Sequence, residues 1–537
     1  MKKIKLKKPT QEQIVLLLIL FIYLVTRIYR ILSLPKGIHI DEMSMAYNTW
    51  SLSKFGVDRY NLSYPVYFDN AGSGQSGLFV YLATLISKVT GYHFVILRLL
   101  AVASGIYFLL NVYNFCKDVF NKWVAYVSAI CVVIMPYFIM SQRWALDCNF
   151  MLPCMSAVLL YSFKLYEDGR TRWVIGLGVA CSLTMYSYAL AWLVVPMFLF
   201  FYAILYTFSH RERLKQLIKC YSIYLILCVP LILYALVLFG VIPEIRTNFI
   251  SITKASANRL YEVGFKLVPL RFLFKDFQML FTYDSYKFSA TSRYGTIYSF
   301  GFVLVILGFV LCCYQAIKNK NKEILIIIVA FLCNLSLMFI INSVSIYRFN
   351  SIYLFFVIFE SYAIVKLFDV NKFIPLCIML FLFSSFASFY AFYLTDYSKD
   401  LSNTKYFTDG LYKVSEDLTT YKKTIYVDSV GSYNPYLELI YGLKVPPNIT
   451  CKTGKILEED DMNFKYKGNH FIVGLDDATV NEDYVYVLKD LNQESLLYSN
   501  TWKNDAELVS VNKELREKLE SLGFKSKKEH GYVLYYN

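Results

Sequence analysis

Long apolar runs alternate with short charged breaks along most of the chain. Runs near the ~20 residues needed to cross a hydrocarbon core fall at 13–32, 96–116, 123–141, 148–166, 173–188, 190–208, 216–239, 298–317, 323–341, 349–367 and 372–393. The pattern predicts about eleven transmembrane helices. A further run, 77–90, is shorter, and charge decides its status. With eleven spans, the connections Met1–Glu12, Lys117–Lys122, Glu167–Arg172, Ser209–Lys219, Lys318–Lys322 and Lys366–Lys372 share one side and hold most of the basic residues. The short connections on the other side hold only Arg143 and Arg348. Counting 77–90 as a span would turn the basic clusters outward, against the positive-inside rule. That run is therefore expected to be an interfacial helix at the outer face, with Met43–Phe55 as a second. Outside would lie a first loop, 35–95, a large loop, 241–297, and the tail from Thr395.

In the tail the period changes. Lys423–Asp428, His470–Leu475, Tyr484–Leu488 and Tyr532–Tyr536 read as strands, and Val511–Leu522 as a helix ended by Gly523. The fold class expected is an α-helical polytopic membrane protein, with a membrane domain over 1–394 and an extracytoplasmic soluble α/β domain over 395–537.

Composition agrees. Of 537 residues 57% are hydrophobic, more than soluble domains carry. The net charge of +14 is uneven: from Thr395 on there are 18 Lys/Arg against 23 Asp/Glu, and before it 36 against 17. Basic inner loops account for the excess and argue against a nucleic-acid partner. The twelve cysteines lie mostly in apolar runs, with no disulfide framework or zinc spacing. The basic start followed by an apolar run reads as a retained signal anchor. Lys, Ile, Asn and Tyr usage suggests a bacterial plasma membrane.

Candidate chemistry gathers at the outer face. Asp41 and Glu42 directly follow the first span, where charge is costly. One carboxylate could act as a general base while its neighbour is tied down; the bland alternative is a helix N-cap. Arg98, Arg143 and Arg348 fall at the same boundary, suited to phosphate or merely snorkelling. Asp147 adds a carboxylate there or pairs locally with Arg143. Tyr188 and Tyr347 could stack on sugar rings. His39 beside the acidic pair could touch substrate. A divalent metal is conceivable there, but no paired histidine spacing indicates one.

These pieces have a familiar order. Ile38-His-Ile-Asp41-Glu42, the run Gly77–Leu85, Gly91 through Arg98 to Gly105, and Ser141-Gln-Arg143-Trp-Ala-Leu-Asp147 together resemble motifs of the GT-C membrane glycosyltransferases. The resemblance is to the protein O-mannosyltransferase and aminoarabinose transferase family, glycosyltransferase family 39. It implies a GT-C fold, a polyprenyl-phosphate-linked sugar donor, Asp41 as the base toward an acceptor hydroxyl and Glu42 held by Arg98. Gln75-Ser76-Gly77 stands where the family has Lys-Pro-Pro, so Arg348 or Arg293 would have to meet the donor phosphate. One base without a second nucleophile favours single displacement with inversion. The acceptor could be a protein, a wall polymer or a lipid glycan. A transporter or flippase of lipid-linked saccharides, or an anchor presenting the tail, are the alternatives. Loss of turnover on Asp41→Asn separates the three.

Overall fold

The computed structural model describes residues 10–70, 73–255, 277–282, 288–291, 293–341, 345–397, 407–428, 434–451, 463–474, 480–490 and 505–537. Parts of the expected loop 241–297 therefore lie outside the described residues. Every expected apolar run is helical: α1 (Gln11–Ile28), α4 (Val95–Val119), α5 (Lys122–Ile134) with α6 (Pro136–Ser141), α7 (Met151–Asp168), α8 (Thr171–Ser187), α9 (Ala191–Ser209), α10 (Leu214–Leu227) with α11 (Val229–Leu238), α12 (Gly301–Lys318), α13 (Lys322–Leu335) with α14 (Leu337–Ile340), α15 (Ile352–Leu367) and α16 (Phe373–Thr395). Among the described residues seven helices are long and apolar enough to cross a membrane, eight if α10 and α11, bent by 55°, count as one. The bend falls next to Pro230, which cannot continue the hydrogen-bond ladder. The remaining runs of the expected eleven, at α5–α6, α8 and α15, are helical but shorter. The chain is a multi-pass α-helical membrane protein. Leu17, Leu18 and Phe21 of α1, Val303 and Val310 of α12, and Leu376 and Leu380 of α16 are exposed, a surface that only lipid would leave uncharged.

Two compact units divide the chain. The first comprises 1–31, 98–233 and 258–392, and its helices run to and fro between two faces. Glu12 at the start of α1 accepts from Tyr113 near the end of α4 at 2.9 Å and pairs with Lys117. Lys164 meets Asp118 at 3.0 Å, Arg213 donates to the Glu167 carbonyl at 3.2 Å, and Lys322 to Ser209 at 3.2 Å. The Phe120 and Tyr362 rings stack at 4.5 Å. All six connections expected on the inner side thus include or adjoin residues gathered at one face. At the far end Arg98, in the first turn of α4, donates to the Ile31 carbonyl at 2.7 Å. Since α1 and α4 are antiparallel neighbours, the chain between them returns to the face it left. The helix α3 (Leu78–Thr90) within that stretch has 13 residues, about 20 Å of rise, too short to span. It exposes Leu85, Ile86 and Val89, as an interfacial helix does.

The second unit joins 32–97, 234–257 and 393–537. The sequence places a domain boundary near 395, but this compact unit also takes in residues 32–97. The cause is direct pairing. Strand β1 (Ile38–His39) pairs antiparallel with β6 (Phe407–Thr408), and β4 (Ile245–Arg246) with β5 (Ser251–Ile252). The Tyr47 hydroxyl of α2 (Ile40–Phe55) donates to the Val445 carbonyl at 2.5 Å. Lys444 sits over the Tyr441 ring at 3.5 Å and near those of Tyr92 and Trp50. The tail holds a six-stranded sheet whose centre is parallel: β10 (Tyr484–Lys489), β7 (Thr424–Asp428) and β9 (Asn469–Gly474). Antiparallel β12 (Tyr532–Tyr536) and β11 (Lys525–Glu529) flank one side and β8 (Phe464–Tyr466) the other. Helices α17 (Leu411–Leu418), α18 (Pro435–Leu443), α19 (Pro447–Thr450) and α20 (Asp505–Ser521) complete it. Tyr426, Tyr486, Leu488, Leu519 and Phe524 form its core. The two edge strands β8 and β11, rich in lysine, escape the alternation pattern; lysine is a usual guard on a sheet edge.

One expectation is corrected. Met43–Phe55 is not an interfacial helix: α2 starts at Ile40 and is buried on all sides from Glu42 to Leu52. Its polar side chains hold neighbouring backbone in place, as where Asn48 accepts from the Arg59 amide at 3.0 Å.

Candidate active site

The candidate base is built at the start of α2. His39 is the N-cap, and its Nδ1 accepts the Asp41 amide at 3.1 Å. Burial pushes this imidazole below its usual range, against the pull of Asp41 and Glu42. With Nδ1 accepting, its 3.7 Å approach to the Asp41 carboxylate joins a neutral ring to an anion. His39 therefore orients the helix start. Successive helical residues point ~100° apart, and the carboxylate pair divides accordingly. Glu42 is fully buried. Asp41 is 37% exposed and is the one unburied residue between Ile38 and Leu52.

A hairpin holds Asp41 from the other side. Strands β2 (Tyr67–Asn70) and β3 (Ser73–Ser76) pair antiparallel. Asn70 Nδ2 donates to Asp41 Oδ1 at 2.7 Å and Gln75 Nε2 to the Asp41 carbonyl at 3.4 Å. One carboxylate oxygen is thus fixed by an amide, and the helix N-terminus favours a negative charge here. A fixed, solvent-reachable carboxylate is what a general base requires. Sequence reading missed Asn70; the only signal was the Asp-Asn-Ala-Gly-Ser-Gly turn around it. Gln75 marked a departure from the family pattern, and it buttresses the residue beside which it folds.

The membrane unit holds two groups of residues of its own. At the first, guanidiniums complete broken helix ends. Arg27 is fully buried and donates to the carbonyls of Val132 at 2.8 Å and Val133 at 2.6 Å. Val132 has no intrahelical donor because Pro136, four residues on, lacks an N–H. The Tyr137 amide, due to Val133, goes to Thr296 instead at 3.0 Å. Arg143 donates to the Thr26 and Tyr29 carbonyls, both at 2.6 Å, where α1 ends, and Arg98 to Ile31. These contacts tie α1, α4 and α5 together at one end. Arg27 went unremarked in the sequence although an arginine within an apolar run is itself a signal.

The second group combines charge with rings. Asp147 caps a short 3-10 turn through the Cys148 amide at 2.7 Å. The Tyr188 phenol lies in the electrostatic field of Asp147, Tyr347 and Arg348. The Arg348 guanidinium lies 5.9 Å from the Tyr347 ring centre, Tyr347 contacts Phe288 at 6.4 Å, and Phe288 contacts Trp144 at 5.7 Å. The side chain of Asn350 donates to the Cys148 carbonyl. Asp147, Tyr188, Tyr347 and Arg348 are thus neighbours, largely shielded from water, with an anion-binding guanidinium among aromatic faces. Arg293 does not join them: it is exposed and lies over the Tyr294 ring at 5.6 Å. Among the described residues no three His, Cys, Asp or Glu side chains cluster to hold a metal ion.

Residues 76–234 match the family model described as dolichyl-phosphate-mannose-protein mannosyltransferase. No curated protein sequence matches the chain. Among solved structures it is similar to ArnT from Cupriavidus metallidurans bound to undecaprenyl phosphate, with TM-score 0.52, 11% identity and 97% of each chain covered. It is also similar to the apo oligosaccharyltransferase of Archaeoglobus fulgidus, with TM-score 0.51 and 13% identity over 82% of this chain; the chain spans 64% of that enzyme's length. The likeness shows the GT-C fold of membrane glycosyltransferases.

Proposed function

We propose that this protein is an inverting glycosyltransferase, moving a sugar from a polyprenyl-phosphate donor to a hydroxyl acceptor at the extracytoplasmic face of a bacterial plasma membrane. The observation that carries it is Asp41: a fixed, water-reachable carboxylate in a chain with the fold of lipid-dependent glycosyltransferases. The undecaprenyl phosphate bound by ArnT supports a polyprenyl-phosphate donor, and the family model over 76–234 supports mannose-like chemistry. The outward orientation rests on the lysine and arginine bias of the gathered inner connections.

Asp41 Oδ2 takes the proton of the acceptor hydroxyl as its oxygen attacks the anomeric carbon. The bond from that carbon to the phosphate oxygen breaks, and polyprenyl phosphate leaves with the electron pair. Arg348 stabilises the charge that develops on the leaving phosphate, since a low-dielectric site makes a prepositioned cation effective. Tyr347 and Tyr188 offer faces to the sugar, and Asp147 accepts from its hydroxyls. Asn70 holds the Asp41 carboxylate in register, while Arg98 and Arg143 tie the helix ends of the membrane unit to one another.

Full-length protein in detergent or liposomes, given polyprenyl-phosphate sugars, tests the reading through release of polyprenyl phosphate. Asp41→Asn should abolish release and keep donor binding, while Arg348→Ala should weaken donor binding about tenfold or more. Release by Asp41→Asn at the wild-type rate would overturn the assignment.

A further inference from the structure

The tail is acidic overall, yet one concavity on it is lined by lysines. A cavity of about 610 Å³ opens where β7, β9 and β10 begin, walled by Lys422, Lys423, Lys465 and Lys467, with Tyr466 and Asp483 at its sides. Several other lysines of the tail find carboxylates: Lys528 meets Asp490 and Lys527 meets Glu529, each at 3.0 Å, and Lys413 pairs with Asp409. Among the described residues none of the four cavity lysines forms an ion pair.

The wall is built rather than accidental. Asn469, buried, accepts the Lys423 amide at 3.0 Å and donates to the Thr419 carbonyl at 3.2 Å, clamping the β7 approach to the β9 approach. Lys422 and Lys467 both stand at φ +50°, and Gly468 follows at +83°. A side chain at positive φ is strained where glycine or asparagine would be easier, yet two lysines occupy such places on one rim. The unpaired ammonium groups make a concave positive field in an acidic domain, which concentrates anions.

We infer that this cleft binds a carbohydrate polymer bearing phosphodiester groups. Ammonium groups suit phosphate, the Tyr466 ring offers a face to a sugar, and the Asp483 carboxylate accepts from hydroxyls. A flexible chain can follow a concave wall that a flat sheet of lipid phosphates cannot enter. The identification of this polymer as the acceptor rests on the transferase reading above; its binding does not.

The test uses the full chain in neutral detergent, with poly(glycerol phosphate), neutral mannan and phosphatidylglycerol vesicles as probes. Expected is binding of poly(glycerol phosphate) that weakens with salt and falls about tenfold or more in the Lys422→Gln/Lys465→Gln/Lys467→Gln variant, with mannan bound weakly. These side chains are exposed, so the variant should keep its wild-type melting temperature, checked alongside. Asp41→Asn should bind the polymer as wild type does, so failure of the catalytic reading and failure of this one are distinguishable. Equal polymer binding by wild type and the triple variant overturns the inference. So does a wild type that binds vesicles through these lysines and ignores the polymer.

Discussion

The two ends of α2 carry aspartates that the sequence presents alike and the fold treats differently. Asp41 stands in the first turn, partly exposed, its carboxylate held by Asn70. Asp58 stands just past Gly56, the left-handed residue that ends the helix, and is fully buried. Asp58 Oδ1 accepts the Tyr60 amide at 2.9 Å and the Leu62 amide at 2.8 Å, closing the turn into the hairpin. Burial pushes the Asp58 carboxyl up to about 7 in spite of those two bonds. Both carboxylates accept amide hydrogen bonds; a route to water is what separates the one that can react from the one that holds a turn.

Asp41→Asn should lower turnover about 10³-fold, while Asp58→Asn stays within about twofold, both read as polyprenyl phosphate released. Equal losses would mean that the two sites do not differ as described. Next comes Arg27→Met, a control for buried charge with no reaction to serve. It leaves the Val132 and Val133 carbonyls without donors and should cost about 3 kcal/mol of stability. A lower melting temperature in detergent, with donor affinity unchanged, is the expected reading.

Asn70→Ala should reduce kcat about tenfold with a smaller change in KM, because it loosens the base rather than the substrate. Asn70→Gln should recover part of the loss. An effect on KM alone would place Asn70 in binding instead. The smallest effect concerns pH. The folded Asp58 carboxyl binds its proton more tightly than the unfolded one, whose ordinary value is near 4. Its stabilising contribution is complete below about 4 and is lost as pH rises to about 7. Asparagine can still accept both turn amides but does not titrate. The melting temperature of Asp58→Asn should therefore gain on that of wild type between pH 5 and pH 8.

Sequence by itself determined the helical runs, the side on which their basic connections gather and the non-spanning status of 77–90, because apolar length and charge bias are local properties of the chain. It also determined the central strands of the tail through their short apolar runs, and the acidic pair through its unusual place after the first span. Tertiary structure alone decided that α2 is buried, that the first outer loop shares a unit with the tail, and that Asp41 and Glu42 part ways. It alone brought Asn70 to Asp41, gathered Asp147, Tyr188, Tyr347 and Arg348, and left Arg293 outside. Each of these depends on partners tens to hundreds of residues distant. No periodicity encodes a hydrogen bond between residues 41 and 70, or the pairing of β1 with β6.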